Sequence, residues 1–232
     1  MEKKEVTINR IARELPLEKQ KIFFLILLER AFCSYKRHSE GKRWDYTEDL
    51  NTIIENCWDY VINGTEYDFI MDSKEIYIDQ DITDKWEDEL EEHSPNTIIM
   101  DREKFGRTLP LIGNIEVLSE VVKHIYTVTE FLTEEEEIIA PSFSRNLDIL
   151  TELLWYRCEE GMEDCDVNSS SFDDYFDDFF EQHELTILEF EREKRDIEYL
   201  KKEDDLQKIY QKYHYEMNEE LFGDYWFDNE YL

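Results

Sequence analysis

The chain has 232 residues, 41% of them hydrophobic and 14% aromatic, and its 59 Asp and Glu against 26 Lys and Arg give a formal net charge of −33. A chain of this length buries roughly 70% of its unfolded surface, so it can support a core, and its aromatic content separates it from disordered acidic chains. The charge argues against direct nucleic-acid binding, which needs clustered Lys and Arg on phosphate, and self-repulsion of this size carries a stability cost that invites a functional reason.

The charge is unevenly placed. Residues 1–43 hold 11 Lys and Arg and 6 Asp and Glu, and everything after Arg43 forms an acidic body. The first 21 residues are polar and lack the apolar run and small-residue cleavage site of a secretory signal, which predicts a cytoplasmic protein. Cys33, Cys57, Cys158 and Cys165 show no C-x-x-C pairing, so reduced, structural thiols are expected.

Met1 to Glu14 reads as a short amphipathic lead-in with Val6, Ile8 and Ile11 near helical spacing. The stretch from Pro16 to Arg37 follows and holds the longest apolar run, Ile22 to Leu28, between charged flanks at Lys19, Lys21, Glu29 and Arg30. Seven apolar residues are far short of the about 20 that a membrane span requires. A helix apolar on every face must be buried on every face, so this segment is expected to be the central helix, with Pro16 in its first turn and Gly41 ending it. Thr47 to Asn63 forms the next helix, with Thr47 as its cap, Leu50, Ile53, Ile54, Cys57, Trp58, Val61 and Ile62 at spacings of three and four, and Asn63-Gly64 as its stop. Alternation at Tyr67, Phe69, Met71, Ile76 and Ile78 suggests a small hairpin or irregular insert around 67–80. Helix-like spacing returns from Thr83 to Glu92 before a break at Ser94-Pro95-Asn96.

A third strong helix runs from about Leu109 to Thr127, with Ile112, Ile115, Leu118, Val121, Val122, Ile125 and Tyr126 on one stripe. Thr133 followed by Glu134 to Glu137 reads as a helix start whose acids suit the positive end of the dipole. Asn146 to Arg157 carries Leu147, Leu150, Leu153, Leu154 and Trp155, and Gly161 ends it. Between Cys158 and Glu191 there are 13 acids and no Lys or Arg, with an Asp-rich insert at about 159–182. There Phe172, Tyr175, Phe176, Phe179 and Phe180 take one helix face and Asp173, Asp174, Asp177, Asp178 and Glu181 the other. His183 to Tyr215 reads as one long charged helix, followed by an aromatic tail through Tyr225, Trp226 and Phe227. Together these patterns predict an all-α chain, a single multi-helix bundle-like domain over 1–232.

No phosphate loop, G-x-S-x-G, H-E-x-x-H or calcium loop is present, and six glycines leave little scope for a phosphate-cradling turn. His38, His93, His124, His183 and His214 are scattered, and Asp79, Asp81 and Asp84 lack the glycine turn and bidentate glutamate of a calcium site. No cofactor, metal or catalytic residue is therefore expected. The carboxylates Asp173, Asp174, Asp177, Asp178 and Glu181 are the candidate partner-binding residues. They form either a solvated face or a surface for a basic partner, and carboxylates regularly spaced on a rigid helix can also imitate a phosphate backbone.

Leu15-Pro16, Lys19-Gln20, Phe24, Glu29-Arg30 and Tyr35, then Leu50 and Trp58, resemble the N-terminal half of the YjaG-like uncharacterised bacterial helical proteins and related immunity proteins of polymorphic toxin systems. Gly106, Pro110 and Asn114, and later Glu184-Leu185, Glu189 and Glu193 to Leu200, extend the resemblance over about residues 10–210; the Asp-rich 163–181 insert and the 67–92 stretch depart from it. The resemblance implies a helical fold and, by analogy, immunity function, with no catalytic residues to carry over. With the acidic charge and the short apolar run, the expectation is an immunity protein that neutralises a basic cognate toxin by direct contact, with no membrane role. An acidic nucleic-acid mimic that inhibits DNA- or RNA-binding proteins is the alternative expectation.

Overall fold

The apolar run of the second helix explains the architecture, because seven consecutive large side chains can be satisfied only by neighbours on every side. The computed structural model describes residues 3–40, 45–65, 109–133, 142–160 and 170–222. In chain order these form α1 (Lys4–Ala12), α2 (Leu17–Ser39), α3 (Thr47–Asn63), α4 (Leu109–Thr133), α5 (Arg145–Glu160), α6 (Ser170–Gln182), α7 (Glu184–Leu200) and α8 (Leu206–Tyr210), the last running into a π-helical turn over Gln211–Tyr215. The fold is all-α and bundle-like, with no strand among the described residues. None of the described helices is long and apolar enough to cross a membrane.

Helix α2 is the axis. Ile22 to Leu28 are all fully buried, enclosed by α3, α4, α5 and α7. Phe24 sits in an aromatic nest, its ring centroid 5.0 Å from Phe131 and 4.9 Å from Phe143. Pro16 stands one position before the helix rather than inside it, and its carbonyl accepts from the N–H groups of Lys19 and Gln20. Its fixed φ pre-sets the entry in either place.

Helix α3 has the expected bounds and ends at Gly64 in the left-handed region (φ 66°), a conformation that glycine adopts without steric cost. Its cap differs from expectation. Asp45 accepts the Thr47 N–H at 3.0 Å, while the Thr47 hydroxyl meets Ser39. An ionised acceptor is the stronger bond at a helix N-terminus.

Helix α4 runs six residues past the expected end at Thr127, to Thr133, because Val128, Phe131 and Leu132 continue the buried stripe. Lys21 donates to the Leu132 carbonyl at 2.8 Å, placing a cation at the negative helix end. Asn9 ties α1 to the entry of α5, accepting from the Phe143 N–H at 2.8 Å and donating to Ser144 at 2.9 Å.

The single long helix expected over His183–Tyr215 is instead broken after Leu200. Asp205 restarts the chain as α8, its carboxylate accepting from the N–H groups of Gln207 and Lys208. The cap lets the chain fold back so that Ile209 and Tyr213 reach the core. The expected 67–80 insert, the 83–92 helix, Asp79, Asp81, Asp84, Gly41, the 134–137 acidic start and the aromatic tail lie outside the described residues.

Candidate functional site

Helix α6 turns its aromatics inward unevenly. Phe176 and Phe180 are buried, with Phe176 against Trp155 of α5 at 4.8 Å; Phe179 is half-buried and Tyr175 is 49% exposed. Residues four apart share a helix line, which places Asp177 and Glu181 together on the side facing α1. Glu181 pairs with Lys4 Nζ at 2.8 Å and accepts the Lys4 backbone N–H at 3.1 Å. Asp177 pairs with Lys3 at 2.7 Å, and this bond holds the Lys3 ammonium above its ordinary range. The two carboxylates therefore clamp α1.

Asp178 projects elsewhere. Together with Tyr175, Phe179, Gln182, His183 and Glu184 it lines an open groove of about 580 Å³ at the elbow between α6 and α7. Among the described residues neither Asp178 nor Glu184 makes an ion pair. His183 is the hinge of the elbow and caps α7, its Nδ1 accepting from the Leu185 N–H at 3.3 Å, with the ring 5.3 Å from Phe179. Ile187 and Leu188, 44% and 46% exposed, continue along α7 from this corner. Asp173 and Asp174 belong to α6, but their side chains lie outside the described residues.

A second polar assembly lies inside the bundle. Glu29 and Arg30, the charged flank after the apolar run, are both buried. The Arg30 guanidinium donates to Glu189 and Asp196 of α7 and lies 3.4 Å from Glu219. Burial opposes its charge, but the facing carboxylates outweigh burial and hold it more firmly protonated than usual. Asn146 of α5 donates to both the Leu27 carbonyl (3.1 Å) and Glu189 (3.0 Å), and Tyr213 donates to Asp196 (2.9 Å). Glu29 accepts from the Trp58 indole at 2.6 Å and pairs with His214 of the π-helical turn. A strap over 216–222 closes the assembly. Its Glu219 forms a fork with Arg195 at 2.9 and 2.8 Å, and the N–H groups of Leu221 and Phe222 donate to Ser34.

Two buried groups stand apart. Glu193 is fully buried and neither carboxylate oxygen has a hydrogen-bond partner. His124 is fully buried with both ring nitrogens unbonded, and burial, with Arg145 nearby, pushes its imidazole well below the usual range, so it is a neutral core side chain. Cys33 and Cys57 are free thiols. Among the described residues, no three His, Cys, Asp or Glu side chains converge on a metal position.

The spacing of α7 held a signal for the interior assembly. Leu185, Glu189, Glu193, Asp196 and Leu200 are all buried, so the acids interrupt a stripe with helical period. Leu188, an apolar residue of the same helix, lies off that stripe and is exposed. Four of the residues on which the expected resemblance rests, Glu29, Arg30, Trp58 and Glu189, belong to this interior assembly. No family model matches the chain, nor does any curated protein or any solved structure.

Proposed function

We propose that the protein is a cytoplasmic immunity protein, an antitoxin that neutralises a basic cognate toxin by direct contact through an acidic, aromatic-rich surface. The observation that carries this reading is the sorting of carboxylates on α6 and at its elbow. Asp177 and Glu181 are used internally against Lys3 and Lys4, whereas Asp178 and Glu184 flank Tyr175 and Phe179 in an open groove without an intramolecular cation. Aromatic rings beside unpaired carboxylates suit Arg and Lys, which combine a charge with a stem or plane that packs on a ring. The helices that present them are anchored by the clamp on α1 and the α2–α7 ion network, so binding would order few side chains. An uninterrupted row of carboxylates, which a phosphate mimic needs, is broken where Lys3 and Lys4 neutralise Asp177 and Glu181. This favours a protein partner over the nucleic-acid mimic.

The test is co-expression with the product of the adjacent gene, followed by surface plasmon resonance of the pair. Wild type should restore growth and bind, with association slowing as salt rises. The variant D178N/E184Q should associate more slowly and lose much of that salt dependence, since steering by complementary charge speeds encounter by about 10–1000-fold. The control D177N should associate as wild type does. Growth rescue, association rate and salt dependence in D178N/E184Q equal to those of wild type would refute the reading.

A further inference from the structure

The face of α7 that meets α2 and α5 carries a run of oxygens with no hydrogen to accept. Thr186, Glu189 and Glu193 follow at spacings of three and four, and Asn146 of α5 joins them through its bond to Glu189. These four residues are 0% or 1% exposed. Thr186 Oγ1, Asn146 Oδ1, one oxygen of Glu189 and both oxygens of Glu193 are unbonded. Buried polar atoms are bonded in about 90% or more of cases, so five such oxygens along one face mark missing donors.

The nearest cations do not bond these oxygens, and the unbonded Arg30 Nε lies 3.4 Å from Glu219 instead. Both terminal nitrogens of Arg30 are on Glu189 and Asp196, Arg192 stands 3.6 Å from the free Glu189 oxygen, beyond bonding distance, and Lys4 of α1 is paired with Glu181 of α6. Glu193 thus faces Arg30 from α2, Asp148 from α5, and Glu189 and Asp196 on its own helix, one cation against three other acids.

We propose that Glu189, Glu193 and Asn146 form a buried proton-and-water site, in which Glu193 keeps its carboxyl proton and one enclosed water bonds to it and to the free oxygens of Glu189 and Asn146. The proton and the water bring three hydrogens into a group with no other free donor, since the Asn146 amide already donates to the Leu27 carbonyl and Glu189, and internal waters typically make two to four such bonds. A hydrogen donor fits where a metal does not, since no three ligating side chains converge among the described residues. Burial, and then the neighbouring Glu189, push the Glu193 carboxyl well above its ordinary value, in keeping with the retained proton.

The sign of the pH dependence follows. The unfolded chain releases this proton near 4.5 and the folded chain only at higher pH, so Glu193 subtracts stability progressively as pH rises from 4.5 to its folded value. The experiment is a carbon-13 NMR titration of glutamate carboxyls in the whole protein, with Glu193→Gln to assign the signal and water oxygen-17 relaxation dispersion to detect a long-lived internal water. One carboxyl should titrate well above the ordinary glutamate range, and its signal should be missing in E193Q. The unfolding midpoint of E193Q should match wild type below about pH 4.5 and exceed it increasingly as pH rises. Titration of every glutamate in the ordinary range, or no long-lived water in wild type, would overturn the proposal; both readings use wild-type protein and stand even if a variant fails to fold.

Discussion

Arg30→Met should be among the most damaging single substitutions in the protein. Methionine retains much of the stem volume and removes the guanidinium, leaving Glu189 and Asp196 buried with their shared cation gone and Glu219 with one fewer partner. Breaking a buried ion pair from one side costs about 3–5 kcal/mol, a large part of the 5–15 kcal/mol that holds a typical domain folded. For a chain of this size that is a drop in melting temperature of about 6–20 °C. Urea unfolding followed by circular dichroism and by tryptophan fluorescence measures it. Trp58 reports directly, because it is bonded to Glu29, the residue next to Arg30. The triple variant R30M/E189M/D196L should recover most of the loss, because replacing a whole buried ionic group by apolar side chains is often neutral or better. A loss below about 0.5 kcal/mol for R30M, the scale of a surface change, would refute the assignment of Arg30 as the fastening between α2 and α7.

Phe24→Ala should cost about 3–5 kcal/mol, since the ring is fully buried against Phe131 and Phe143; an unchanged melting temperature would remove α2 from the centre of the bundle. Burial pushes the Cys33 thiol up to about 11 and the Cys57 thiol up to about 12, so in native protein near pH 8 both should alkylate about 100-fold or more slowly than in urea. Site-resolved mass spectrometry checks this, and equal native and denatured rates would contradict the burial.

Local pattern alone determined the helical class, the central position of Ile22–Leu28 and the bounds of α3. These depend on the 3.6-residue period, on a run too short for a membrane, and on the stop at Gly64, all of them short-range features. The roles of the charged residues were not legible in the same way. Asp177 and Asp178 are adjacent and chemically identical, yet one is held by Lys3, 174 residues away in sequence, and the other opens onto a groove. Glu29 and Arg30 read only as a charged flank of the apolar run and prove to be interior, because Trp58, His214, Glu189 and Asp196 converge on them from distant parts of the chain. A carboxylate is buried only where a donor or a proton meets it, and that partner is supplied by tertiary packing, so composition told how many charges there are and the fold decided which of them face water.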